Sequence, residues 1–255
     1  MSTWLTLVLM LASPADDKPA AKPDRDTMIK SARTVMAAIV AAGRENGRQP
    51  APLKEDRLTE YYVRAAAAAA RRLPEKQRAP ALLLALGVAL DQSSLMRENP
   101  VTAIPWRRVE TDAERTERLK VLGTPTVHGR HDLAQHFSVS AGLTALLGAK
   151  AAESAGLLKE LLDAEPGGSG FSFADLAADL SGVAFAQKLL DDPSRLTGIE
   201  KSFTVAAFVV PPKGLTEDLS LEQFTKQYGS IRDARFRKEL EALRKKLRAL
   251  PGHKE

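Results

Sequence analysis

Six consecutive alanines, Ala65 to Ala70, sit inside a run from Leu58 to Leu73 whose apolar residues recur at helical spacing. Alanine is the best helix former and lets neighbouring helices approach closely. Aromatic residues make up only 5% of the chain against 44% hydrophobic residues overall, so bulky rings cannot fill most of the core. These features predict an all-α fold: a multi-helix bundle packed through small side chains. At 255 residues the chain can bury one large core or two smaller ones.

The pattern continues on both sides of the alanine run. Thr27 to Ala42 carries Met28, Ala32, Val35, Met36, Ile39 and Val40 at helical steps. ALLLALGVALDQSS is apolar on most faces and is expected to be central, with Pro80 at its start. Residues 97–110 read as an ordered loop. Thr111 and Glu114 form a capping-box pattern for a charged helix reaching about Leu122. GTPTVHGR reads as a second loop. Helical patterns resume from Asp132 to about Gly148 and from about Ala152 to Asp163, and EPGGSG is a turn. Ser172 and Asp175 resemble a second capping box, opening a helix to about Leu190. SFTVAAFVVPP reads as a short extended or helical packing segment. Two helices are expected after Ser220, the last with Phe236, Leu240, Leu243, Leu247 and Leu250 on one stripe and Lys and Arg elsewhere.

The first fifteen residues, MSTWLTLVLMLASPA, hold no charge, and Trp4 to Ala12 is an apolar run. This is the pattern of an export signal (1–15) followed by a polar linker (16–26), although no Lys or Arg precedes the run. The run is shorter than the about 20 residues a membrane-spanning helix needs. The expected organisation is then a helical region over 27–122, a core over 131–190 and a helical region over 199–255 packed on that core. There is no cysteine, which excludes disulfides, thiolate metal sites and a cysteine nucleophile.

Chemistry concentrates between His128 and Gly182. His128, His131 and His136 are three of only four histidines. From His131 to Asp192 there are nine acids and three lysines, a net of −6 inside a chain of net +5. If 132–163 is a helical hairpin turning near Gly148, His136 faces Glu160, Ser140 faces Gly156 and Asp132 falls near Asp163. The EPGGSG turn then returns Asp175 and Asp179, which share a helix face. Several carboxylates in a water-poor space need a cation, a shared proton or a basic partner. No Arg or Lys falls on the same stripe within this segment. Glu160 and Asp163 also sit in the last turn of their helix, where the dipole disfavours negative charge.

An imidazole among carboxylates suits a divalent metal ion such as Zn, Mn or Fe. His136, Glu160, Asp163 and Asp179 are the expected ligands, with Asp132 or Asp175 as a catalytic base if the site is an active site. The competing reading makes each residue structural: Asp175 the cap partner of Ser172, His136 a satisfied core histidine, His128 and His131 loop residues. Ser169 and Ser172 lack a GxSxG nucleophile elbow, which argues against a serine hydrolase.

DLAQHF followed by KELLDAEPGGSGFSFADLAADLSG resembles the YfiM-like periplasmic lipoprotein family. That family's pattern is an Asp-Lys-x-x-His start, a Lys-Glu-x-x-Asp helix end, a Gly/Ser turn and paired Asp residues before a Gly. It falls here on Asp132 and His136, on Lys159, Glu160 and Asp163, on Gly168 to Gly170, and on Asp175, Asp179 and Gly182. The likeness covers about residues 131–186, with a looser one to VanZ-like proteins. Leu133 replaces the usual Lys, and without cysteine the lipid anchor does not transfer. The resemblance implies an exported helical protein facing the periplasm and cell envelope, with no named activity. Envelope components or an anionic lipid surface are then the expected partners, and nucleic acid is not. The first expectation is a non-catalytic envelope protein whose acidic site binds an ion or fixes the fold. The second is a metal-dependent hydrolase acting on a phosphate- or lipid-bearing envelope substrate.

Overall fold

The computed structural model describes residues 24–254. The apolar run 4–12 read as an export signal lies outside them. The described chain folds into thirteen α-helices with two short 3₁₀ turns, and among the described residues there are only isolated β-bridges and no strand. The all-α expectation holds. No helix among these residues is long and apolar enough to cross a membrane.

The first three helices are α1 (Arg25–Gly47), α2 (Glu55–Ala70) and α3 (Glu75–Leu90). Asp24 caps α1 by accepting from the Thr27 amide at 3.2 Å, so the helix starts two residues inside the segment read as linker. Every residue of α3 from Ala79 to Leu90 is buried, the central position its composition predicts. Pro80 does not start α3. It lies inside the helix, where it gives up the bond to the Lys76 carbonyl, an acceptor near the exposed end of the helix.

The stretch read as a loop over 97–110 instead holds α4 (Leu95–Glu98) and α5 (Ala103–Val109). Pro105 falls in the first turn of α5, where a missing N–H breaks no helical bond. The predicted Thr111/Glu114 capping box opens α6 (Asp112–Val121). Arg118 of α6 is buried. It grips both oxygens of Glu110, at 2.6 and 3.1 Å, and donates to the Ala89 and Asp91 carbonyls. Those carbonyls close the C-terminal end of α3, so one guanidinium ties three parts of the chain together.

The centre of the molecule is α7 (His131–Leu147), packed between α3 on one side and α9 (Phe173–Asp191) on the other. α8 (Ala149–Asp163) lies against both α7 and α9. Glycines set these crossings. The Cα atoms of Gly87 and Gly142 meet where α3 crosses α7. A Cβ at Gly182 of α9 would fall 2.1 Å from the Phe137 carbonyl oxygen of α7. Gly148, with φ 89°, makes the hairpin turn between α7 and α8.

The remaining helices are α10 (Leu196–Ser202), α11 (Val205–Phe208), α12 (Leu221–Tyr228) and α13 (Ala234–Ala249). α10 packs on α2. SFTVAAFVVPP contains the four-residue α11 followed by extended Val209. A second apolar cluster joins Phe171, Phe173, Phe224, Tyr228, Phe236 and Leu243, and it packs α12 and α13 against the start of α9. Most of the few aromatic rings in the chain are gathered there and around Phe137, Phe185, Phe203 and Phe208.

Candidate His/carboxylate site

Three helices bring polar side chains into the gap between α7, α8 and α9. α7 presents Asp132, His136 and Ser140, four residues apart and so on one face. α8 presents Glu160 and Lys159 near its C-terminus, and α9 presents Asp175 and Asp179 one turn apart. Gly156 makes the approach possible: a Cβ there would lie 2.6 Å from Asp179 Oδ2.

His136 is held from both sides. Its Nε2 is 3.3 Å from Asp175 Oδ2, and its Nδ1 is 3.1 Å from Asp179 Oδ1. Ser140 donates to the same Asp179 oxygen at 2.6 Å. With an acceptor at each nitrogen, the metal-free ring keeps both protons as an imidazolium, and a metal ion at Nε2 would displace one of them. Burial works against that charge, but the Asp179 charge and the hydrogen bonds to Asp175 and Asp179 outweigh it and push the pKa up to about 10. Burial also raises the Asp175 carboxyl, but the bond and charge of His136 prevail and hold it below the usual range.

Glu160 is fully buried. Burial pushes its pKa up to about 7, with Lys159 opposing and Asp175 adding to the rise. Lys159 donates to Glu160 at 3.1 Å and to Asp163 at 2.6 Å. The other Glu160 oxygen accepts the Ser172 amide at 2.9 Å. That bond changes the start of α9. Ser172 Oγ accepts from the Asp175 amide at 3.1 Å, half of the predicted capping box. In a full box the Asp175 carboxylate would take the Ser172 amide. Glu160 takes it instead, which leaves the Asp175 carboxylate facing His136. The same amide answers the unfavourable dipole at the end of α8.

Two basic side chains correct the expectation that no cation reaches this stripe. Lys159 stands next to Glu160 in sequence, but its long stem curls back to the carboxylates. Arg130, one residue before α7, bonds Asp132 and Glu217 and lies 3.3 Å from Asp175. Burial raises the Asp132 carboxyl, and Arg130 more than offsets this to leave it lowered. Arg130 is in turn raised, first by its bond to Asp132. Glu217 arrives from the segment before α12 and had no local signal. Arg130 had one: a long cation at the mouth of a loop entering an acidic helix start.

The hairpin register therefore places some expected residues together and separates others. His136, Glu160 and Asp175 each offer a donor atom within 4.8 Å of one another, a spacing able to hold a metal ion. Asp179 adjoins them through His136. Asp163, expected beside Asp132 as a ligand, is engaged by Lys159, while Asp132 is engaged by Arg130. His128 bonds the Val209 carbonyl and His131 the Pro125 carbonyl, so both anchor loops.

Two open clefts lie at other places. One of about 960 Å³ is lined by Glu165, Gly167, Ser169, Asp218, Glu222 and Lys226. The other, of about 520 Å³, is lined by Asp26, Lys30, Arg33 and Arg108. The His136 side chain is 9% exposed, Asp179 5% and Asp175 14%, so the cluster is close to sealed. No family model, no curated protein and no solved structure matches this chain.

Proposed function

We propose that this chain is an exported, non-catalytic helical protein of the cell envelope, in which the His136 cluster is a clasp between α7, α8 and α9 that binds an ion or fixes the fold. The observation that carries the reading is His136 itself, bridged to Asp175 and Asp179 in a nearly sealed gap. A catalytic site needs room for a substrate beside its reactive groups. His136, Asp175 and Asp179 are almost wholly covered by neighbouring side chains, which favours a clasp over a metal-dependent hydrolase. An envelope location rests on the resemblance of residues 131–186 to YfiM-like proteins. The exposed Arg237, Lys238, Lys245 and Lys246 of α13 suit an anionic envelope surface.

The test is an assay of the purified protein against phosphomonoesters, phosphodiesters and lipid esters, with added Zn²⁺ or Mn²⁺. The clasp reading expects no turnover. Turnover abolished by Asp175→Asn, in a variant that melts as wild type does, would replace it with the hydrolase reading.

A further inference from the structure

The geometry points to a single site for a divalent transition-metal ion, with His136 Nε2, one Asp175 oxygen and one Glu160 oxygen as ligands, and with Asp179 and Ser140 orienting the histidine from behind. The inference deepens the clasp reading by naming the ion class and by dividing the residues into ligands and supports.

Spacing is the first argument. Donor atoms of His136, Glu160 and Asp175 lie within 4.8 Å of one another, and His136 Nε2 is 3.3 Å from Asp175 Oδ2. A tetrahedral ion with bonds of about 2.0–2.1 Å holds its ligands about 3.4 Å apart. Two of the three donors already stand at that separation. Three protein ligands leave a fourth position for a small molecule.

The second argument is the arrangement behind the ring. A histidine that binds a metal characteristically gives its other N–H to a carboxylate, which fixes the tautomer and the ring plane. Here His136 Nδ1 meets Asp179 Oδ1 at 3.1 Å, and Ser140 fixes the same oxygen at 2.6 Å. Asp179 is buried, and its Oδ2 has no hydrogen-bond partner. That oxygen packs against Gly156, so Asp179 stays behind the ring as a support.

The third argument is that the ligands have room to bind. A carboxylate offers about four lone-pair directions. Glu160 uses one for the Ser172 amide and one for Lys159. Asp175 directs Oδ1 to Arg130 and Oδ2 toward His136. One imidazole and two carboxylates, with no thiolate, suit zinc, manganese or iron rather than copper(I) or a cluster.

The test uses the full chain, tag-free and stripped with chelator, loaded with Zn²⁺ and desalted for metal analysis, and loaded separately with Co²⁺ for visible spectroscopy. The inference expects one equivalent of Zn²⁺ per chain and an intense tetrahedral Co²⁺ band. His136→Gln, Asp175→Asn and Glu160→Gln should each lose the metal. Asp179→Asn and Ser140→Ala should retain the stoichiometry with affinity about 10–100-fold weaker. Asp163→Asn should bind as wild type does. Circular dichroism on each variant separates lost ligation from lost fold, and a variant that unfolds is replaced by the alanine substitution at the same position. Wild-type protein that retains no metal, or metal retained equally by His136→Gln, overturns the inference. If the wild type takes no metal while His136→Ala still lowers its melting temperature, the clasp survives and only the metal site falls.

Discussion

Replacing His136 by alanine in the metal-free protein removes the cation lodged between the buried Asp179 and the largely covered Asp175. Asp175 and Asp179 would then stand side by side on one face of α9, with Glu160 close by and Lys159 and Arg130 as the remaining counter-charges. Breaking a buried ion pair by removing one partner costs about 3–5 kcal/mol. For a chain of this size 1 kcal/mol moves the melting temperature by about 2–4 °C, so the fall should be about 6–20 °C. Neutralising the stranded acids should repair most of it: Asp175→Asn and Asp179→Asn on the His136→Ala background should return to within about 1–2 kcal/mol of wild type.

The effect has a pH signature. The His136 pKa rises from about 6.5 in the unfolded chain to about 10 in the folded one. A raised pKa stabilises the fold fully below the lower value and loses that contribution as pH climbs through the upper one. The gap in melting temperature between wild type and His136→Ala should therefore be widest at or below pH 6.5 and narrow steadily toward pH 10. Lysines and tyrosines elsewhere cancel in the difference, and a Glu160→Gln background in both proteins removes the neighbouring carboxyl, which burial pushes up to about 7 and the His136 charge lowers. Calorimetry in chelator from pH 6 to 10 reads this directly. A His136→Ala protein that melts within 2 °C of wild type, or a gap that does not narrow, refutes the imidazolium clasp.

Three other perturbations probe separate parts of the argument. Asp163→Asn should cost only about 0.3–0.5 kcal/mol by urea denaturation, because its ion pair with Lys159 is a partly exposed pair one helical turn apart; a loss of several kcal/mol would return Asp163 to the cluster. Glu110→Gln should cost about 3–5 kcal/mol in the same assay, since it leaves the buried Arg118 without its counter-charge; a near-neutral result would mean that the Ala89 and Asp91 carbonyls hold the guanidinium unaided. Gly182→Ala should destabilise by about 3 kcal/mol, because the added carbon meets a backbone oxygen that no side-chain rotation can move; wild-type melting would show that α7 and α9 can separate freely.

The helical architecture was legible because its signals are local. The periodic stripes of α1, α2 and α13, the capping box of α6 and the breaks at Gly148 and 165–170 each depend on a few adjacent residues. Where local signals mislead, the reason is positional. Pro80 resembles a helix start, yet the turn before it is exposed enough to lose a bond, and Pro105 resembles a breaker while occupying a first turn that tolerates it. In the site, hairpin register joins His136 to Glu160 through spacing alone. Spacing could not reveal that Glu160 would claim the Ser172 amide and so release Asp175 toward His136. Nor could it reveal Glu217, which reaches Arg130 from 87 positions away. Flexible cations such as Lys159 also defeat reasoning from faces, since their heads lie several bonds from the backbone direction that assigns them.

The bond from Ser172 to Glu160 has a consequence for how the chain can be cut. The 165–170 turn is exposed and glycine-rich, the kind of place where new termini are usually tolerated. Here the donor lies on one side of the turn and its acceptor on the other, and both are buried. A circular permutant opened there would turn a short covalent tether into an encounter between two free ends, each carrying an unsatisfied group into the interior. The loop at 212–214 belongs to no helix, and the bond that spans it, from the Leu215 amide to the Pro212 carbonyl at 3.0 Å, joins partly exposed residues, so it is the better place to open this chain.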